Sequence, residues 1–376
     1  MRILLTGATG HLGRNLVISL LRSGHEVVAS VRRVDPTLDR RVRQVSGDLL
    51  DPASLQRAGR GCDATVHCAA LYVDDPRRAR EMTRVATLGT RHVLDAAAAN
   101  GHRRVLLTSS MVTVGFSERR DEVRDETQFS EQTAHPYFRA KVDAERAAWR
   151  HAEALGLPIV VLCPGGLIGP LDHRGTPTMQ FLADLVSGEA QTLRGGVNYV
   201  DVRDVADATT RALTDAPSNA RYLLTGECLP MRELGLVLRT LTGTRPVHLP
   251  LPRRVVLAVA RVLQPQRYPM ARESVGRWPR FSAARARRDL DFHPRPVEDS
   301  LADALRWLAR TGAVHPACVA QWAGRLDPQG AMFAPRGLTC LPSTTLPSTP
   351  SANKVTPLPM PWSRQRTPRA RERSVG

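Results

Sequence analysis

Two side chains four positions apart can share one proton-transfer task. In Tyr137-Phe138-Arg139-Ala140-Lys141 the phenol and the ammonium fall on one helix face, because positions i and i+4 are neighbours there. A free phenol has a pKa of about 10, too high for easy proton exchange near neutrality. A nearby ammonium favours the phenolate and lowers that value. Tyr137 is therefore expected to give a proton to a carbonyl, or take one from an alcohol, while hydride moves to or from C4 of a nicotinamide. Lys141 would also hold the nicotinamide ribose. Such a spacing recurs by chance, but only two of the 53 basic residues are lysines, Lys141 and Lys354. An ammonium kept where arginine is the default argues for a compact, titratable cation. Ser109 and Ser110 follow an apolar run, Val105–Thr108, that reads as a strand. A hydroxyl at the carboxyl end of such a strand lies where α/β ligands bind. It can donate to a substrate oxygen as that oxygen gains charge.

A second constellation opens the chain. Thr6-Gly7-Ala8-Thr9-Gly10-His11-Leu12-Gly13 joins the apolar run Ile3–Leu5 to a segment of helical period. Glycines let a backbone approach a pyrophosphate, and the helix that follows presents free N–H groups and a positive dipole end. The spacing is G-x-x-G-x-x-G; strand, turn and helix agree on a dinucleotide site at Gly7, Gly10, Leu12 and Gly13. About twenty residues on, an NAD enzyme places a carboxylate for the ribose diol. Ser30-Val31-Arg32-Arg33 stands there instead. The missing carboxylate, with Arg32 able to meet a 2′-phosphate, favours NADP over NAD.

Elements that position these groups are legible in the periodicity. Strands are expected at Ile3–Leu5, Glu26–Val31, Ala64–Cys68, Val105–Thr108 and Ile159–Leu162, with helices over about 83–99 and 134–154 between them. This alternation predicts an α/β, Rossmann-type doubly wound parallel sheet over residues 1–169. Tyr199–Val202 and Tyr222–Leu224 read as strands returning to that sheet near 197–225. Residues 170–312 are expected to form mainly a smaller, substrate-binding C-terminal lobe, closed by a helix carrying Leu301, Leu305 and Leu308. Residues 313–376, rich in Pro, Ser and Arg, read as a disordered tail.

Bulk properties narrow the function further. Six cysteines, at 62, 68, 163, 228, 318 and 340, form no C-x-x-C pair, so reduced thiols are expected and no metal site. The formal charge is +17. No nucleic-acid motif accompanies it, and attraction of an anionic cofactor or substrate is the simpler use. No run approaches a membrane span of about 18 apolar residues. Val255–Leu263 reads as a packed amphipathic helix, so a soluble, cytoplasmic protein with no membrane partner is expected.

Landmarks TGATGHLG (6–13), GDL (47–49), HCAA (67–70), TSS (108–110), YFRAK (137–141), PGGLIGP (164–170) and YVDVRDVA (199–206) stand in order. In this the chain resembles the extended short-chain dehydrogenase/reductase superfamily, the NAD-dependent epimerase/dehydratase family, over residues 1 to about 312. It is most similar to dihydroflavonol-reductase-like and hopanoid-associated epimerase-like members. The resemblance implies that Asp48 binds the adenine amino group, that its neighbour Leu49 belongs to the cofactor site, and that Ala69 and Ala70 line the cofactor path. It implies further that Pro164 meets the nicotinamide, that Ser110 is the catalytic hydroxyl, and that two copies dimerise through the helices at 83–99 and 134–154. Two departures stand out. Ala86 replaces the Asn of an N-V-x-G-T segment, and Cys163 and Gly166 replace the Arg and Asn that nucleotide-sugar epimerases carry. The expected activity is NAD(P)-dependent reduction of a ketone, or oxidation of a secondary alcohol, on a small hydrophobic or polycyclic substrate. The alternatives are a nucleotide-sugar epimerase or dehydratase and, more remotely, a non-catalytic dinucleotide-binding regulator.

Overall fold

A computed structural model describes residues 1–71, 78–131, 133 and 135–326. The first half alternates strands and helices: β1 (Arg2–Thr6), α1 (His11–Arg22), β2 (Glu26–Val31), β3 (Arg43–Ser46), α2 (Pro52–Gly59), β4 (Ala64–His67), α3 (Ala79–Ala99), β5 (Val105–Thr108), α4 (Pro136–Ala154) and β6 (Ile159–Pro164). Then come β7 (Gly166–Ile168), α5 (Pro177–Val186), β8 (Thr192–Leu193), β9 (Gly196–Asp201), α6 (Val202–Ala212), β10 (Ala220–Leu224), β11 (Cys228–Pro230), α7 (Met231–Thr242) and β12 (His248–Leu249). Five helices follow: α8 (Arg253–Leu263), α9 (Tyr268–Ser274), α10 (Ala284–Leu290), α11 (Val297–Arg310) and α12 (Pro316–Leu326).

Seven strands pair in the order β10-β6-β5-β4-β1-β2-β3, all parallel. Side chains alternate between the two faces as a pleat requires. Val160 and Leu162 of β6 join one apolar cluster with α1, α6 and α10, while Ile159, Val161 and Cys163 join another with α3 and α4. Burial on both faces explains why these strands read as unbroken apolar runs. Each fully buried Leu, Ile or Val contributes roughly 1.5–3 kcal/mol. Glycines stop the helices that feed the sheet: Gly24 after α1 and Gly156 after α4 both have positive φ.

Four expectations change here. Tyr199–Val202 does not return to the main sheet. Tyr199–Asp201 end β9, which pairs with β7 and β11 in a separate three-stranded sheet, Val202 opens α6, and only β10 returns. Short apolar runs carry no information about which sheet they join. Residues 284–290 pack on the main sheet through Ala286 and Leu290 rather than in the lobe. The tail reading began too early. Val314, Trp322 and Leu326 are buried with α5, α7 and α11, so one more helix closes the body; the rest of that tail, 327–376, lies outside the described residues. Finally, α8 packs through Val256, Ala260 and the half-buried Leu257, and leaves Val255, Val259, Val262 and Leu263 exposed. The edge strand β3 and helix α2, which carry little periodicity, were not expected at all. Among the described residues no helix is long and apolar enough to cross a membrane.

Candidate active site

Parallel register brings the carboxyl ends of β1, β4, β5 and β6 to one edge. Thr6 lies beside His67, and Thr108 beside Leu162. The glycine-rich turn leaves β1 at this edge. Gly7 has φ +84°, and a Cβ there would lie 2.6 Å from the Ala69 backbone nitrogen. A Cβ on Gly13 would lie 2.0 Å from the Gly7 carbonyl oxygen, and one on Gly10 3.3 Å from it. Backbone therefore packs on backbone from β1 through α1 to the end of β4, and no side chain caps the first turn of α1. A glycine-lined helix start of this kind fits a pyrophosphate. Leu12 is buried beneath it. Arg174, far along the chain, donates to the Thr9 hydroxyl at 2.7 Å. No local pattern marks that arginine, because its partner is set by how the segment after β7 crosses the sheet edge.

The other proposed cofactor positions are spread along the same edge. Arg32 is exposed just past β2. The nearest acid after that strand, Asp35, is bound by Arg14 at 2.5 Å and by Thr37. Burial pushes its carboxyl up, but the Thr37 hydrogen bonds and the Arg14 charge outweigh this and hold it below its ordinary value. Asp48 is exposed after β3 and accepts from the Leu50 backbone at 2.8 Å. Leu49 packs on Gly89, and its carbonyl oxygen lies 2.8 Å from His92 Nδ1. Ala69 is half-buried, Ala70 exposed, and Pro164 buried at the end of β6.

Tyr137 and Lys141 sit in the first two turns of α4, which starts at Pro136, where a fixed φ and a missing N–H suit a first helical position. The helix was expected from about residue 134; Ala134 lies outside the described residues. The Tyr137 hydroxyl hydrogen-bonds Ser110. The Ser110 oxygen also accepts weakly from the Val112 N–H at 3.4 Å, opening a single 3-10 turn. Ser109 is committed elsewhere, since its hydroxyl donates to the Glu145 carboxylate. Of the two serines only Ser110 thus meets the phenol.

Electrostatics here depart from the sequence expectation. Burial pushes the Tyr137 phenol up to about 12, with the Ser110 hydrogen bond the one influence that lowers it. Lys141 does not bring it down. Its ammonium instead donates to the Thr108 carbonyl at 3.4 Å. Burial pulls the Lys141 pKa below its ordinary value, partly offset by the Glu145 carboxylate one turn on. Glu145 is itself paired with Arg221 at 2.6 Å, both buried. Arg221 also donates to the Thr113 hydroxyl and to the Glu126 and Gln128 carbonyls, each at 2.7 Å. This Ser109–Glu145–Arg221 network escapes the sequence because its partners lie 36 and 76 positions apart. Cys163 lies against it, and burial raises its thiol to about 12, so it stays protonated.

Beside Ser110, Met111 lines a cavity of about 170 Å³ with Phe116, Phe181, Tyr199, Met231 and Val275. Apolar side chains dominate the wall. The five described cysteines are free thiols, and the described residues include no cluster of His, Cys, Asp or Glu able to hold a metal. Cys340 lies outside the described residues.

A parallel sheet with a glycine turn on its first helix, and a Tyr–Lys pair at the same edge, define a dinucleotide-dependent α/β enzyme. The sequence model of the NAD dependent epimerase/dehydratase family matches residues 3–224, and the chain belongs to that family. Sterol demethylase protein B of Methylococcus capsulatus is 30% identical over 332 residues, covering 84% of this chain and all of that protein. Cinnamoyl-CoA reductase 1 of Petunia hybrida is 35% identical over 240 residues, 59% of this chain and 71% of the reductase. The solved structure of MoeE5 with UDP-glucose and NAD aligns with a TM-score of 0.66 at 25% identity, over 83% of this chain and 99% of that one. The protein is thus an NAD(P)-dependent enzyme of the reductase and epimerase type.

Proposed function

We propose that this protein reduces a ketone, or in reverse oxidises a secondary alcohol, on a small apolar substrate, with Ser110, Tyr137 and Lys141 as its catalytic residues. The observation that carries this reading is the hydrogen bond between Tyr137 and Ser110 beside the apolar cavity. The two hydroxyls donate to the substrate carbonyl oxygen. A phenol whose pKa stands near 12 holds its proton at neutrality, which suits proton donation and so the reductive direction. The bound dinucleotide supplies the hydride. As the carbonyl carbon gains it, the oxygen takes the Tyr137 proton, Ser110 donates to the phenolate left behind until it is reprotonated, and Lys141 holds the nicotinamide ribose.

In this reading Gly7, Gly10, Leu12 and Gly13 hold the pyrophosphate, and Asp48, Leu49, Ala69 and Ala70 line the adenine and ribose side. Tyr137, Lys141 and Pro164 stand at the nicotinamide end. NADP is preferred over NAD, because Arg32 is exposed at the end of β2 while Arg14 occupies Asp35. A cavity of about 170 Å³ is smaller than the roughly 300–1,000 Å³ of drug-sized sites. It admits one ring as it stands, and a polycyclic substrate requires its wall to yield. The names sterol demethylase and cinnamoyl-CoA reductase among relatives favour hydrophobic carbonyl compounds. Two copies are expected to pair through α3 and α4, in the cytoplasm.

The test is turnover of NADPH with a panel of apolar ketones. Tyr137→Phe removes the proton donor and should lower kcat by about 10²–10⁴-fold while NADPH still binds. Wild-type turnover in that variant would overturn the assignment. A second reading, a nucleotide-sugar epimerase or dehydratase, draws on the likeness to MoeE5. Thermal stabilisation by UDP-glucose, and by no ketone or alcohol, would select it.

A further inference from the structure

Helix α8 is built backwards for a buried helix. Its inward face holds only Val256, Ala260 and the half-buried Leu257, which pack on Leu193, Ala271 and Val275. Its outward face carries Val255, Val259 and Val262, at 41, 51 and 76% exposure, with Leu263 at 72%. Leu249 and Leu251, just before the helix, are also exposed. A continuous exposed apolar stripe of this kind marks a contact.

Charge around the stripe identifies what it contacts. Between Glu233 and Glu273 the chain has seven arginines and no acidic residue. Arg254 and Arg261 lie together along one side of the stripe, and both are exposed. Among the described residues no carboxylate pairs with either. Arg253, by contrast, turns inward and donates to the Val275 and Arg272 carbonyls. A protein partner would need a complementary acidic and apolar surface of the same shape. A bilayer with anionic headgroups offers both components without shape matching, and a basic amphipathic helix of low mean hydropathy is the form that lies in that interface.

We propose that α8, with the Leu249–Leu251 segment before it, docks this protein on the surface of an anionic bilayer. The valine stripe enters the headgroup boundary and Arg254 and Arg261 meet lipid phosphates. The same helix backs Leu193 and Val275, which line the apolar cavity, so docking would place a cavity wall at the lipid. Docking of this kind departs from the expectation of no membrane partner: no helix among the described residues can span a bilayer, but α8 would lie on one. Docking stands independently of the proposed chemistry, since it needs no turnover.

The test is flotation of the full-length protein with vesicles of phosphatidylcholine alone and with about one-third phosphatidylglycerol. Wild type should float with the anionic vesicles only, and less as salt rises. Val259→Asp with Val262→Asp, and separately Arg254→Glu with Arg261→Glu, should each weaken partitioning about tenfold or more. All these positions are exposed, so unchanged circular dichroism and unchanged NADPH binding show that the variants are folded. Failure of the wild type to float overturns the proposal. Flotation that survives both double variants also overturns it, and assigns binding to another basic segment such as 364–373. If the aspartates instead turn a dimer into a monomer with no change in flotation, the face is an interface between copies and the proposal fails.

Discussion

The inner end of α4 and the outer face of α8 are both one helix wide, and they handle charge in opposite ways. At α4, burial is the controlling term. Glu145 is buried and answered by Arg221, Ser109 and the nearby Lys141. At α8 Arg253 turns inward, but Arg254 and Arg261 face water with no carboxylate partner among the described residues, and the apolar groups face out with them. An ionised group in a low-dielectric interior must be paired, whereas at a surface it can wait for a partner. Charge is thus spent on geometry in the first region and left available for binding in the second.

If that contrast is right, the two regions answer mutation on different scales. Glu145→Ala strands the Arg221 guanidinium in the interior and should destabilise by about 4 kcal/mol, read as a lower midpoint in urea. Glu145→Gln keeps two hydrogen bonds and should lose less. A change under about 1 kcal/mol for the alanine variant would break the comparison, because it would mean the network is solvated. Trp322→Ala should cost about 3 kcal/mol through a cavity in the α5–α7–α11 cluster. Truncation before α12 should destabilise at least as much, since it exposes that cluster. If such a chain kept its full stability, the early-tail reading would regain ground.

Smaller effects sharpen the contrast. Arg32→Ala should weaken NADPH binding about tenfold, the loss of one exposed charge-assisted contact of about 1.4 kcal/mol, and leave NADH binding unchanged. Equal loss for both cofactors would remove Arg32 from the specificity reading. Because the phenol pKa is raised, Tyr137 stays protonated as pH rises from about 7 toward 10. Ketone reduction should vary little from this group over that range, while alcohol oxidation, which needs phenolate, should climb. A reduction rate that falls tenfold across it would place the functional pKa lower, as the Tyr–Lys spacing alone suggested. Smallest of all, Val262→Ser on the exposed stripe should change folding stability by no more than about 0.5 kcal/mol.

Local pattern was enough for much of this. The glycine turn, the strands β2 and β5, the Tyr137–Lys141 pair and the family landmarks were all readable, because each is a relation between residues a few positions apart. The alternation of strand and helix was readable for the same reason. The alanine and valine content of α8 was visible too, but not which way it faces. Periodicity defines an apolar stripe and says nothing of what covers it.

By itself, then, the chain's order of residues determined a dinucleotide-binding parallel sheet with a tyrosine and a lysine on one helix face. Backbone stereochemistry and helix pitch impose that much within a few residues. Tertiary structure alone decided that Ser109 is committed to the Glu145 carboxylate, that Glu145 and Arg221 lie behind Lys141, and that the phenol pKa goes up. It also decided that α12 is buried and α8 is not. These outcomes turn on desolvation and on partners tens to more than a hundred positions away, and both are set only once the chain has packed.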